Sequence, residues 1–166
     1  MDQVQKNFDD IERKLTKMGK IREKGGSNLG MKDVMKMGQK GMSVEKIMKK
    51  IVKEGNNMNP TEIEAEKMLE TMERITDMTC KQMQFALDNK PMFEKLHLAG
   101  MVKKNMGKSE QTGVALSALL IEKSPVYLRP KAEKLEQRSQ AQFAVTMAAF
   151  SNATGGEDKD LQDDSD

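Results

Sequence analysis

Residues 59–87, NPTEIEAEKMLETMERITDMTCKQMQFAL, decide the fold class. Thr61 and Glu64 stand in the S/T-x-x-E arrangement, in which the two side chains cap each other's backbone N–H groups at the start of a helix. Met68, Met72, Ile75 and Thr79 then follow at spacings of 4, 3 and 4, the period of one helix face. Met83, Ala86 and Leu87 carry the apolar side on to about Asn89. A helix of this length with one unbroken apolar side packs against long neighbours.

Those neighbours are legible on both sides. Downstream, Pro91 fits the first turn of a helix through about Met106, with Gly107 as its stop. Ser109 caps a further helix to Lys123, whose Val114, Leu116, Leu119, Leu120 and Ile121 are apolar nearly all round, as in a segment at the centre of a domain. Residues 124–130 hold two prolines and read as an extended connector. Pro130 opens a last helix to about Phe150, with Ala132, Leu135, Phe143, Met147 and Phe150 inward. Upstream, Ser43 is read as the N-cap of a short helix that ends at Gly55.

At the N-terminus Val4, Phe8, Ile11, Leu15 and Met18 repeat at 4, 3, 4 and 3, the seam of a coiled coil. One narrow stripe on an isolated helix of about 20 residues is marginal in water, so these five residues need a partner helix. They are the candidate oligomerisation surface, with packing onto the chain's own later helices as the alternative. Gly25 and Gly26 end that helix, and residues 25–42 are rich in Gly, Lys and Met. Within them Gly38-Gln39-Lys40-Gly41 fits the GXXG loop of KH domains, although the strands of such a domain are not evident nearby.

The expected organisation is a coiled-coil-like helix over 1–24, a hinge over 25–42, a helical domain over 43–150 and a disordered acidic tail over 151–166. The fold class is all-α: a helical bundle of about four to five helices preceded by the N-terminal coiled-coil-like helix. Sixteen Met and 4% aromatic residues in a chain of 166 support it, because Met fills helical cores and sheets favour aromatic and β-branched residues.

For function, the exclusions come first. No run approaches the roughly 18 apolar residues that span a bilayer, and the first residues lack the apolar core of a signal peptide, so an intracellular, cytoplasmic location is expected. The single Cys80 and single His97 leave no disulfide and no zinc cluster, and no nucleotide-binding or hydrolase motif occurs. No enzyme activity, cofactor or metal is expected. The net charge of +2 conceals a segregation between a basic N-terminal third and an acidic C-terminal end.

Lys46, Lys49, Lys50 and Lys53 fall on one helix face with no acid among them, and Lys36 and Lys40 lie just upstream. Cations at this spacing suit a phosphate backbone, and lysine without arginine or stacking aromatics points to contact without sequence specificity. These six lysines are the candidate nucleic-acid site. The expected partners are RNA or DNA, further copies of the chain and other proteins through its helices, with no membrane. A protein-binding scaffold that makes no nucleic-acid contact is the alternative. In layout alone, a short coiled coil, a basic hinge, a helical domain and an acidic tail look like small viral or phage assembly and replication accessory proteins.

Overall fold

The longest helix begins where its capping pattern places it. The Thr61 hydroxyl accepts the Glu64 backbone N–H at 3.3 Å, and the Glu64 carboxylate accepts the Thr61 N–H at 2.8 Å. The computed structural model describes residues 1–159 and 161. Six α-helices carry them: α1 (Asp2–Arg22), α2 (Met31–Gly55), α3 (Glu62–Asp88), α4 (Lys90–Lys95), α5 (Ala99–Lys123) and α6 (Arg129–Ala149). Short 3-10 turns at Gly26–Asn28 and Val126–Leu128 precede α2 and α6, and the described residues contain no strand. The protein is an all-α bundle.

The order of packing determines its shape. α1 packs on α2, α2 on α5, α5 on α6, α6 on α3, and α3 back on α1. Five helices thus close a ring, and the short α4 sits against α5 at one end. Ion pairs cross two of the seams: Arg74 of α3 meets Glu12 of α1 at 2.7 Å, while Lys131 and Arg138 of α6 meet Glu73 and Asp77 of α3. Such exposed pairs stabilise little, so apolar burial along the seams holds the ring.

α1 is one member of that ring and not a separate coiled coil. Phe8 and Ile11 are fully buried, and Val4, Leu15 and Met18 are buried with them against residues of α2 and α3. The stripe read as an oligomerisation surface is therefore satisfied within one chain. The 3-10 turn, the extended Leu29 and a 2.8 Å ion pair between Lys24 and Asp33 complete the tight link from α1 to α2.

Residues 31–42, expected to be part of a hinge, are the first half of α2. Ser43, expected as an N-cap, lies buried inside that helix, and Gly38 to Gly41 is helical and not a GXXG loop. Gly107 and Ser109 likewise fall inside α5, whose N-terminal turn is set instead at Leu96-His97-Leu98. There His97 adopts φ 56°, and the N–H groups of Leu98 and His97 return to the carbonyls of Phe93 and Glu94 at 2.9 and 3.0 Å. This pair of hydrogen bonds around a left-handed residue ends α4 and turns the chain into α5. A helix-interior glycine costs about 1 kcal/mol relative to alanine, and long-range packing of α2 and α5 outweighs that.

The segment after α6 was expected to be disordered. As far as Lys159 it lies on α5: the Lys103 ammonium donates to the Ser151 carbonyl at 2.6 Å, Met101 N–H to Gly155 O at 2.9 Å, and Lys104 to Glu157 O at 2.9 Å. Gly155 permits this approach, since at φ 103° it stands where a Cβ would fall 2.8 Å from the His97 carbonyl oxygen. Ala153 and Leu161 are buried. Residue 160 and residues 162–166 of the expected tail lie outside the described residues.

Two outcomes follow from this packing. Phe8→Ala should lower the unfolding free energy by about 3–5 kcal/mol, read by urea denaturation, because Phe8 is fully buried in its own bundle. The second concerns acid. Hydrogen bonds from the Thr61 backbone and then its hydroxyl hold the Glu64 carboxyl below its ordinary 4.5. Stability from this cap is present above that value and is lost as pH falls through it and below. Thermal melts across this range should show the gap between wild type and Glu64→Gln closing toward acid.

Candidate functional site

A ring of five helices has an axis, and here side chains fill its two ends better than its middle. One apolar cluster joins Phe8, Ile11 and Leu15 of α1 to Ile51 of α2, Ile75 of α3 and Leu116 of α5. A second, at the other end, joins Val34 of α2, Phe93 of α4, Met101 of α5, Phe150 and the C-terminal Leu161. Met37, Met83 and Phe143 are buried yet belong to neither cluster. They line a cavity between the two.

The cavity has a volume of about 160 Å³. Enclosed apolar cavities of about this size take up small hydrocarbons. Its wall on α3 runs from Met72 to Ala86, which at the helical rise is about 21 Å. That exceeds the roughly 15 Å that one acyl layer fills in a bilayer. The lining residues thus extend along α3 for most of four turns.

Methionine dominates the wall. Met18 of α1, Met37, Met42 and Met48 of α2, and Met72 and Met83 of α3 all contribute. Met101 and Met106 add the α5 side. Flexible, polarizable side chains line a space whose occupant need not have a fixed shape. Small residues line it: Gly41 on α2, Gly113 and Ser117 on α5, and Ser139 on α6, with Gly38 of α2 covered by the Leu161 side chain. A Cβ on Gly41 or Gly113 would meet no atom within 4 Å. Both glycines therefore face open space.

Few polar groups interrupt this wall. The Thr76 hydroxyl donates to the Met72 carbonyl of its own helix at 2.8 Å and is satisfied there. Glu45 is buried and lies 2.5 Å from the Lys49 ammonium, which reaches out to solvent. Gln82 differs: its Oε1 is buried with no hydrogen-bond partner among the described residues. Leaving such an acceptor unpaired costs about 1–3 kcal/mol. Among the described residues no lysine, arginine or histidine lines the cavity.

The residues singled out in the sequence lie elsewhere. Lys36, Lys46, Lys49, Lys50 and Lys53 are exposed on the outside of α2, and Lys40 is half-buried. Only Leu15 and Met18 of the N-terminal stripe reach the cavity. Burial pushes the Cys80 thiol up from its ordinary 9.0, which keeps it neutral and unreactive near neutral pH. His97 is exposed at the α4–α5 turn. Among the described residues no group of His, Cys, Asp and Glu could hold a metal ion, and no helix is long and apolar enough to cross a membrane. Sequence reasoning missed the cavity wall, for which the available signal was glycine and serine sharing helix faces with methionine.

No protein-family model and no curated protein matches the chain. Solved structures do. Ligand binding domain 2 of the Penicillium marneffei MP1 protein, in complex with arachidonic acids, superposes with a TM-score of 0.82 at 21% identity, over 93% of this chain and 96% of that one. AFMP4P in complex with palmitic acid gives 0.80 at 10% identity, over 90% and 98%. Ligand binding domain 1 of the MP1 protein, also complexed with arachidonic acids, gives 0.76 at 19% identity, over 88% and 95%. At these identities the likeness establishes the fold.

The expected RNA or DNA partner is thereby overturned. The neighbours of this fold hold fatty acids, and the described residues build an apolar cavity, while the lysine face expected to meet a phosphate backbone lies on the outside of α2. The likeness in layout to viral or phage accessory proteins falls with it, because the separate coiled coil and basic hinge behind it are α1 of the ring and the first half of α2. The scaffold alternative is set aside on the same finding.

Since Gly41 and Gly113 are helical and face open space, Gly41→Ala and Gly113→Ala should each raise stability by about 0.5–1 kcal/mol. Denaturant titration of the two variants checks this, and a loss of stability would show that the space is filled by protein.

Proposed function

We propose that the chain binds a single-chain lipid of the fatty-acid type in the cavity along the ring axis. The observation that carries the reading is the cavity itself, which extends along α3 from Met72 to Ala86 and is walled by methionine. The fold likeness to domains solved with palmitic and arachidonic acids supports it. Transfer of an alkyl chain from water contributes about 0.8 kcal/mol per methylene, so a chain that occupies most of the wall supplies the affinity with no covalent step. The methionines repack around straight and kinked chains alike. Action by binding alone accords with the absence of nucleophile and metal motifs from the sequence.

The test is calorimetric titration of delipidated protein with saturated fatty acids of decreasing length. Affinity should fall by about tenfold for every two methylenes removed. Gly41→Leu and Gly113→Leu should fill the wall and weaken binding by at least about tenfold while leaving the melting temperature unchanged or raised. No binding of any chain length, or equal binding by the filled variants, would overturn the reading.

A further inference from the structure

Resting on that reading, the way into the cavity lies where the chain's own C-terminal segment covers it. Gly38 of α2 and Asn105 of α5 both line the cavity, and the Asn105 amide nitrogen lies 3.8 Å from where a Gly38 Cβ would stand. Glycine brings no side chain to close the seam between the two helices. Leu161 closes it from outside the ring, with a methyl carbon 2.8 Å from the same point, and is buried there with Val34, Met101 and Met106. The wall at Gly38 is thus completed by a residue that belongs to no helix.

The segment that leads to Leu161 is fitted to its seat yet lightly held. A Cβ on Gly100 of α5 would overlap the Glu157 carboxylate, and one on Gly156, at φ 77°, would fall 3.0 Å from a Leu98 methyl carbon. With Gly155, these glycines let the segment approach α5 closely. Among the described residues, the hydrogen bonds that join it to α5 come from Lys103, Lys104 and the Met101 N–H, and the two from lysine are exposed. Ala153 and Leu161 are the apolar side chains that it buries. Elsewhere the ring is closed more firmly: ion pairs cross the seams of α3 with α1 and α6, and the fully buried Phe8, Ile11, Ile51 and Leu116 fill the other end. Parting two helices exposes whole apolar stripes, whereas lifting this segment exposes two side chains. Parts with few buried apolar contacts open at the lowest free energy.

We propose that residues 151–159 and Leu161 form the gate of the cavity, whose release opens the α2–α5 seam at Gly38 to the lipid. The gate closes over the empty and the filled cavity alike, so it sets the rate of exchange and not the affinity.

The experiment follows cis-parinaric acid, a fluorescent fatty acid, by stopped flow on the delipidated full chain, with dissociation driven by excess palmitate. Leu161→Ala removes the side chain in the seam, and Gly155→Val forces the segment away from the His97 carbonyl. Each should raise the association and dissociation rate constants together by at least about tenfold and leave Kd within about threefold of wild type. Phe8→Ala, which loosens the opposite end, should leave both rates near wild type. In hydrogen exchange, the Met101 N–H loses its Gly155 acceptor and should exchange faster in Gly155→Val, while the Leu116 N–H within α5 stays protected. Should Gly155→Val fold poorly, Leu161→Ala decides. Unchanged rates in Leu161→Ala, faster dissociation with unchanged association, or equal acceleration by Phe8→Ala would overturn the gate while sparing the cavity reading. Failure of the wild type to bind the probe would overturn both.

Discussion

The packing of α1 between α2 and α3 closes the ring, and the interior of the molecule depends on that closure. Without it α2, α5, α6 and α3 would form an open row of helices with their apolar stripes facing water on one side. With Val4, Phe8, Ile11, Leu15 and Met18 inserted, each of five helices has two neighbours. Ridge-into-groove contact fixes helix axes about 8–10 Å apart, so five helices in a ring leave more space at the axis than ordinary side chains fill. The cavity follows from that geometry and from the choice of small residues along it.

That choice gives the helix-interior glycines their meaning. In a solvent-exposed helix Gly38, Gly41, Gly107 and Gly113 would only weaken the backbone. Here Gly38, Gly41 and Gly113 border the cavity, and Gly107 lies beside Met147 of α6. The chain gives up some helix propensity and gains room for a ligand, a local inconsistency of the kind that marks functional positions. Methionine on the opposing walls keeps that room adaptable.

The basic face of α2 teaches a complementary lesson. Four lysines on one helix face form a pattern, but a helix of a bundle must point some face at water, and charged residues belong there. Lys46, Lys49, Lys50 and Lys53 are that outward face, while Val44, Met48 and Ile51 on the other side enter the core. Glu45 of the same helix is buried against the cavity, and its carboxylate takes one of those lysines as partner.

Read alone, the sequence determined the helical class, the start of α3 at its capping box, the inward faces of α1, α3 and α6, and the lack of any motif for metal or nucleophilic chemistry. These depend on contacts within a few turns, which periodicity and capping residues encode directly. Only the tertiary structure decided that α2 and α5 run unbroken through glycines and serines, that the N-terminal stripe closes a ring within one chain, and that Met37, Gly41, Gln82 and Gly113, distant in sequence, surround one space. A cavity is the absence of atoms between elements far apart in the chain, and no local pattern of residues records where those elements meet.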